Sequence, residues 1–367
     1  MMNEKILVIN PGSTSTKVAV YEGENLKWLE NIPHTQAELK NYEKVYDQLE
    51  MRASLIRTLL KTRGDALDSF GAIASRGGNM PPVKTGAYQI TDYMVDCLKH
   101  RPIDEHAANV GAGIALELAR EAGIDAYTYD ALTVDEMLPV NTITGLKGVR
   151  RPARGHNLNT RAAALKLCED KGLDYERTNI IVAHLGGGIT INLQSKGRII
   201  DVIMDEEGPF SPERAGGMPT YAIVKMAFSG DRDRKELMRQ LQRKGGMLSY
   251  FGTADMREIE KMIAEGNEEA ALVYQAMALS VAKNIAKIAP VVKGKIDHIA
   301  LTGGLAYSKM FTDEIIQSVE FIAPVTIIPG ENEMPALAAG ALRVLRGREK
   351  ARALEDEYKN EIKREEA

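Results

Sequence analysis

Three things are scarce or missing in this chain, and each removes a class of function. Only two cysteines occur in 367 residues, Cys97 and Cys168, with no CxxC or zinc-type spacing. Disulfide and metal-thiolate roles are left without support, and a reduced intracellular protein with two small buried thiols is expected. No apolar run approaches the roughly 18 residues of a membrane-spanning helix, and the opening MMNEK leads directly into an expected strand. Net charge is nearly absent, because 47 basic residues face 51 acidic ones. That balance suggests neither a nucleic-acid surface nor an anionic membrane partner, so any anionic substrate must be attracted locally. These features describe a soluble, cytoplasmic protein.

Two phosphate-binding signatures are also missing. No GxxxxGK[ST] occurs, which excludes a P-loop enzyme on spacing. No GxGxxG opens a helix near the amino terminus, which argues against a dinucleotide fold.

The length suits two domains, each able to bury a core, and two domains imply a cleft. Residues 6–21 and 180–203 read as β-hairpins, with Ile/Val/Leu runs around glycine turns. Laid over one another, "ILVINPGSTSTKVAVYEGENL" and "IIVAHLGGGITINLQSKGRII" place Asn10 on His184, Gly12 on Gly186 and Gly23 on Gly197. Such an echo at half the chain length suggests duplication of one α/β unit, although two unrelated hairpins can also align this way. Helical spacing marks 42–64, 105–123, 159–172, 220–230, 233–246, 256–266, 268–292 and a helix from about Ala336, with buried strands at 70–78, 125–133, 298–304 and 321–330. This alternation predicts mainly parallel or mixed sheets with helices on both faces. The charged stretch 346–367 is expected as a solvated helix without chemistry.

A tip of Gly, Ser and Thr after a strand lets backbone N–H groups approach a phosphate, and a nearby Lys neutralises it. "GSTST" followed by Lys17 fits that description, as do "HLGGGIT" and the glycine pair ending "LTGG". Any one of them could be a plain solvent-facing turn. Three in one chain point to nucleotide phosphates gripped between hairpins.

In order and spacing, "VINPGSTSTKVAVY", "SRGG", "YDALTVDEM", "GHNLN", "AHLGGGI", "GPFSPERAG", "GTADMREIE", "LTGGLA" and "PGENEMPAL" resemble the acetate and butyrate kinase family of the actin-like ATPase superfamily. The versions "NPGSTSTK", "SRGG", "GPFSPER" and "PGENE" are most similar to its butyrate-kinase branch, including branched-chain relatives. The likeness covers residues 5–347. It implies two duplicated actin-like ATPase (ribonuclease H-like) domains, about 1–147 plus 336–367 and about 148–335, with an interdomain cleft. The implied activity is reversible, ATP-dependent phosphorylation of a short-chain carboxylate to an acyl phosphate, with ATP and Mg²⁺ as cofactors. At least a homodimer is also implied.

A carboxylic acid with a pKa of roughly 4.3 is already ionised at neutral pH. Its kinase needs no general base, but it must let two anions approach, which calls for Arg, Mg²⁺ and neutral donors. By resemblance, Arg76 and Arg214 serve the carboxylate and the transferred phosphoryl, a task that suits bidentate guanidinium. Structural alternatives are pairing of Arg76 with a local acid and helix capping by Arg214. His156 matches the histidine that donates to the phosphoryl oxygens, and His184 the nucleotide-phosphate histidine, next to Gly186, Gly187 and Gly188. Asp130 orients Mg²⁺, water or Arg; Asn10 and Glu333 match the Mg²⁺ side, with Glu331 as substitute. Ser13, Ser15 and Lys17 fall near the phosphates, Asp255 and Arg257 near ribose and base, and Gly303 with Gly304 should leave room for adenosine. Thr253 and Asp255 equally read as a helix cap. His106 and Asn109 lie near the cleft or merely start a helix.

One departure bears on specificity. The family usually carries Phe immediately before the reaction-centre histidine, and this chain has Gly155. A lost ring would enlarge or reshape the acyl pocket and favour butyrate or isobutyrate over acetate. Acetate or propionate kinase is the nearest alternative. A sugar kinase of the superfamily is disfavoured because Asn10 stands where those enzymes begin with Asp. An ATP-driven assembly protein of the same fold is the alternative from another class.

Overall fold

The computed structural model describes residues 3–204 and 206–358. Contacts divide the chain into two compact units, Met1–Asp135 with Glu333–Ala367, and Glu136–Asn332. These limits differ from 147/148 and 335/336 for local reasons. Leu138 N–H and Asn141 Nδ2 both donate to the Ile200 carbonyl, each at 3.0 Å, which draws 136–147 into the second unit. Residues 333–335 form the first turn of the helix Glu333–Leu345, where Pro335 lacks only an N–H that the first turn leaves unused.

The first unit is built on a seven-stranded sheet ordered β12-β5-β6-β4-β1-β2-β3. Its strands are β1 (Lys5–Pro11), β2 (Ser15–Glu22), β3 (Asn25–Pro33), β4 (Ala72–Ser75), β5 (Ala87–Gln89), β6 (Asp125–Tyr129) and β12 (Arg352–Ala353). The second unit has five strands in the order β11-β10-β7-β8-β9. They are β7 (Asn179–Leu185), β8 (Ile189–Ser195), β9 (Arg198–Ile203), β10 (His298–Gly303) and β11 (Val325–Pro329). Apart from β5 and β12, the two sheets repeat one topology. An antiparallel meander (β1-β2-β3 and β7-β8-β9) is extended from its first strand by two parallel strands, β4-β6 and β10-β11. Even the register slip recurs, between Val20 and Tyr21 and between Leu193 and Gln194. The tips differ, since Asn10 faces Lys17 across residues 11–16 whereas His184 faces Thr190 across 185–189, one residue fewer.

Period-two alternation decides what each face of the second sheet touches. Ile181, Ala183 and Leu185 of β7 join the core shared with Val281 and Ile285 of the helix Glu268–Ile288. Ile180 and Val182 pack with Ala163, Ala164 and Leu167 of the helix Asn157–Lys171. β7 is mostly apolar because both its faces are covered, whereas β8, equally buried, carries Thr190, Asn192 and Gln194 at alternate positions. Among the described residues no helix is long and apolar enough to cross a membrane.

Two sequence expectations need correction. β11 starts at Val325, not Phe321, because Ile322 N–H turns back to the Val319 carbonyl and closes the preceding helix. The charged carboxy-terminal stretch is docked over its described part. β12 pairs in parallel with β5, Leu354 is fully buried, and Glu349 accepts from Ala87 N–H at 3.0 Å and Tyr129 Oη at 2.7 Å. A short edge strand thereby gains a partner, which the charge pattern could not reveal. Residues 359–367 lie outside the described residues. Leu354→Ala should therefore lower unfolding stability by about 2–5 kcal/mol, the usual loss for a buried leucine, read from urea midpoints. A change below about 0.5 kcal/mol, the level of an exposed site, would contradict this docking.

Candidate active site

Candidate residues collect at the carboxyl ends of the parallel strands in each unit, the ends at which open α/β sheets take their ligands. In the first unit Asn10 sits near the end of β1, Arg76 follows β4, and Asp130 follows β6. The register Ile9↔Ser75↔Thr128 sets these exits side by side. Glu333, the first residue of its helix, binds two of them. Its Oε2 accepts from Asn10 Nδ2 at 2.7 Å and from Arg76 Nη1 at 3.2 Å, while Oε1 lies 3.0 Å from Arg76 Nη1. Arg76 thus does pair with a local acid, and that acid is the one expected on the metal side. Asp130 is buried with φ +44°; its Oδ1 accepts from Gly86 N–H at 2.7 Å and its own N–H donates to Gly86 O at 3.2 Å. It anchors a loop across β5 and β6.

The hairpin tip of β1–β2 is held from below by a residue that sequence reading passed over. Arg52, on the helix Leu49–Arg63, is 1% exposed, and its described partners are all neutral. Nη1 donates to Ser15 O at 3.2 Å and Thr16 Oγ1 at 2.8 Å, and Nε and Nη2 donate to Gln48 Oε1. Burial brings its pKa down to about 10, still charged at neutral pH. Thr16 Oγ1 is also 2.8 Å from His34 Nε2, and His34 N–H donates to Thr14 O at 2.8 Å. His34 thus braces the tip as well. Ser13 and Lys17 are exposed on it, and Ser15 is half-buried. Only the helical periodicity around Arg52 hinted at its burial.

In the second unit the parity of β7 turns His184 to the face covered by the helix Asn157–Lys171, whose N-cap is His156. The two imidazoles stack, with centroids 4.4 Å apart and planes at 26°. Thr190, opposite His184 and so on the same face, places Oγ1 2.8 Å from His156 Nδ1. Arg214 reaches the glycine tip, since a Cβ on Gly188 would collide with its guanidinium. Ser211 Oγ donates to Gly187 O at 2.6 Å, and the Glu213 carboxylate lies against Gly187. The cation is therefore concentrated at Gly188, with Gly186 close to His184 Nε2.

Gly155 reverses one expectation. The direction a side chain would take is filled, since a Cβ there would lie 2.7 Å from Thr190 Cγ2 and 3.3 Å from Val202 Cγ2. Glycine there permits close approach of the loop to β8 and β9 and leaves no vacancy. Arg151 fixes the same loop through Asp201 Oδ1 at 3.0 Å, Val202 O at 2.7 Å and Glu207.

The remaining candidates divide. Gly303 has φ +94° and sits where a Cβ would strike the Leu185 carbonyl, so it serves the backbone, whereas Gly304 faces open space. Asp255 caps the helix Met256–Ala264 through Arg257 N–H at 3.0 Å and takes both ends of the Arg257 guanidinium, at 2.9 and 2.6 Å. That guanidinium and the capped N–H hold its carboxyl down at about 2. His106 Nδ1 accepts from Ala108 N–H, and Asn109 is buried between Asn79 N–H and Asp104 O, as a structural helix start requires. Glu331 is exposed in the second unit.

No cluster of three or more His, Cys, Asp or Glu side chains able to hold a metal occurs among the described residues. The Asn10–Glu333 pair offers one carboxylate and one amide oxygen. That suits Mg²⁺, which keeps several waters and takes phosphate oxygens with few protein ligands.

The sequence profile of the acetokinase family matches residues 148–335. Among solved structures, the Porphyromonas gingivalis acetate kinase is similar at 20% identity and TM-score 0.73, covering 93% of this chain and 99% of that one. A propionate kinase from Francisella tularensis gives 17% identity and TM-score 0.71, covering 92% and 98%. A ROK family protein from Streptococcus pneumoniae, solved with sucrose, gives 15% and 0.51, covering 94% and 100%. These likenesses show the two-unit actin-like ATPase fold.

Burial first, and then the charge of Arg52, push the His34 pKa below its ordinary 6.5. The unfolded chain thus takes up this proton at a higher pH than the folded one. The stabilisation from a neutral His34 is present above about 6.5 and is lost as pH falls through the lowered folded value. Melting temperature should accordingly fall more between pH 7 and pH 5 for the native protein than for His34→Gln. Parallel curves would show that His34 does not carry the effect.

Proposed function

The chain belongs to the acetokinase family, whose reaction is ATP-dependent phosphorylation of a carboxylate to an acyl phosphate; within it, we propose that this chain is a butyrate kinase acting on butyrate or a branched acid such as isobutyrate. The support for that substrate is the form of its motifs, "NPGSTSTK", "SRGG", "GPFSPER" and "PGENE". Room at Gly155 adds nothing to it, because Thr190 and Val202 fill that direction. A cytoplasmic location belongs to the same proposal.

The observation that carries the mechanism is the kind of group found at the strand ends: guanidinium, imidazole and bare backbone. Both reactants are anions and the acceptor is already ionised, so charge neutralisation is what the chemistry demands. Arg76, held by Glu333, faces the substrate carboxylate, and Arg214 at Gly188 takes the transferring phosphoryl. His156 donates to phosphoryl oxygens, while His184 and Gly186–Gly188 receive nucleotide phosphate. Ser13, Ser15 and Lys17 supply further donors, stiffened by Arg52 beneath them. Asp130 holds its loop and takes no proton. Asp255, Arg257 and Gly304 lie toward ribose and base. Mg²⁺, carried in with ATP and held by Glu333 and Asn10, would neutralise phosphate charge. Transfer is direct and in line.

Turnover with ATP across acetate, propionate, butyrate, isobutyrate and valerate should give the highest kcat/KM for butyrate or isobutyrate. A preference for acetate would reject the substrate reading. Arg76→Ala and Arg214→Ala should each lose at least about 100-fold in kcat, as for removal of a transition-state donor, with native circular dichroism. Full activity in either would remove that arginine from the mechanism.

We include a homo-oligomer in this reading because the helix Thr220–Ala227 buries none of its residues and leaves Tyr221, Val224 and Phe228 exposed at 82%, 47% and 86%. Light scattering at micromolar protein should give at least a dimer, weakened by Val224→Glu. A monomeric native protein would refute it.

A further inference from the structure

The groups around His156 set both its plane and its hydrogen bonding. Its ring is bounded on two sides by residues of one cross-strand pair, His184 and Thr190. His184 stacks on it and fixes its plane. Thr190, 2% exposed, lies 2.8 Å from Nδ1 through Oγ1, and the same oxygen accepts the His156 backbone N–H at 3.4 Å. Thr190 Cγ2 meanwhile occupies the position that a side chain at residue 155 would need. One threonine therefore contacts the histidine with its hydroxyl and the preceding glycine with its methyl.

We propose that Thr190 is the positioning residue for His156: its hydroxyl donates to Nδ1 and keeps the proton on Nε2, the nitrogen then able to donate to a phosphoryl oxygen. The proposal rests on the reading of His156 as that donor. With the backbone N–H of His156 already directed at Oγ1, the hydroxyl proton is available for Nδ1. A neutral imidazole has one donor and one acceptor nitrogen, so accepting at Nδ1 commits Nε2 to donation. Gly155 belongs to the same device. A larger residue would push Thr190 away, so glycine here maintains the bond to the histidine. Neither dependence is visible in the sequence, where residues 155 and 190 fall in separate motifs.

Thr190→Val retains the shape and removes the hydroxyl, while Thr190→Ser retains the hydroxyl and removes the methyl. Thr190→Val should lower kcat roughly 10- to 100-fold, the scale of a misplaced catalytic group, with KM for ATP and acid changed less than threefold. Thr190→Ser should stay near native kcat. His156→Asn should be strongly impaired, and adding Thr190→Val to it should cost nothing more, because the two substitutions break one interaction. Nitrogen-15 spectra of the imidazoles should show Nε2 protonated in the native protein and a tautomer mixture in Thr190→Val. Gly155→Ala should reduce kcat, and Thr190→Ser should partly restore it by removing the obstructing methyl. Native kcat in Thr190→Val alongside an impaired His156→Asn overturns the positioning role and leaves the histidine's role intact. Native kcat in His156→Asn overturns the reading on which both depend. Loss of activity in Thr190→Ser equal to that in Thr190→Val assigns Thr190 to packing and also overturns the proposal.

Discussion

Repulsion between two anions is the constraint that phosphorylation of a carboxylate by ATP imposes. A carboxylate and a polyphosphate approach only where positive charge and hydrogen-bond donors outweigh their mutual charge. The chain carries no excess of positive charge to provide this globally. On the proposed mechanism it is provided locally within each unit, by Arg76 held on Glu333 and Arg52 buried under the hairpin tip in the first, and by Arg214 against Gly188 in the second. The buried guanidinium is the most unusual of the three. A charge taken out of water without a counter-ion is costly, and the fold tolerates it where it clamps Ser15 and Thr16.

Sheet geometry converts that demand into positions. In both units the same order of strands brings the ends of parallel strands together beside a hairpin tip, so side chains far apart in sequence emerge at one edge. Strand parity then selects the face. Because Ile180 and Val182 pack on the helix Asn157–Lys171, His184 must turn to the same side, and that is where the helix begins with His156. The stacked imidazoles thus follow from a hydrophobic alternation that also builds the core. Glu333 reaches Asn10 and Arg76 because its helix packs on β1 and β4.

Much of this could be read from residue order. The apolar runs located the central strands, the glycine turns located the hairpin tips, and the echo between residues 6–26 and 180–200 matched two meanders of identical topology. Less legible were elements with weak local signals. The two-residue strand β12 and the docking of Glu349 rest on partners in β5 and β6, more than 200 positions away. Reading Gly155 as a vacancy failed for a related reason. A missing side chain says nothing of what else occupies its space, and Thr190 and Val202 come from a different part of the chain.

By itself the sequence determined the duplicated α/β plan, the residue types available for handling phosphate, and the membership that its ordered motifs imply, because these depend on periodicity and local backbone freedom. Tertiary structure alone decided which of those residues meet. It paired Arg76 with Glu333, set Thr190 against His156, made Gly303 a backbone requirement and left Gly304 open. Such outcomes depend on register and close packing between distant segments, and a single slip of one residue along a strand would exchange every inward side chain for its outward neighbour.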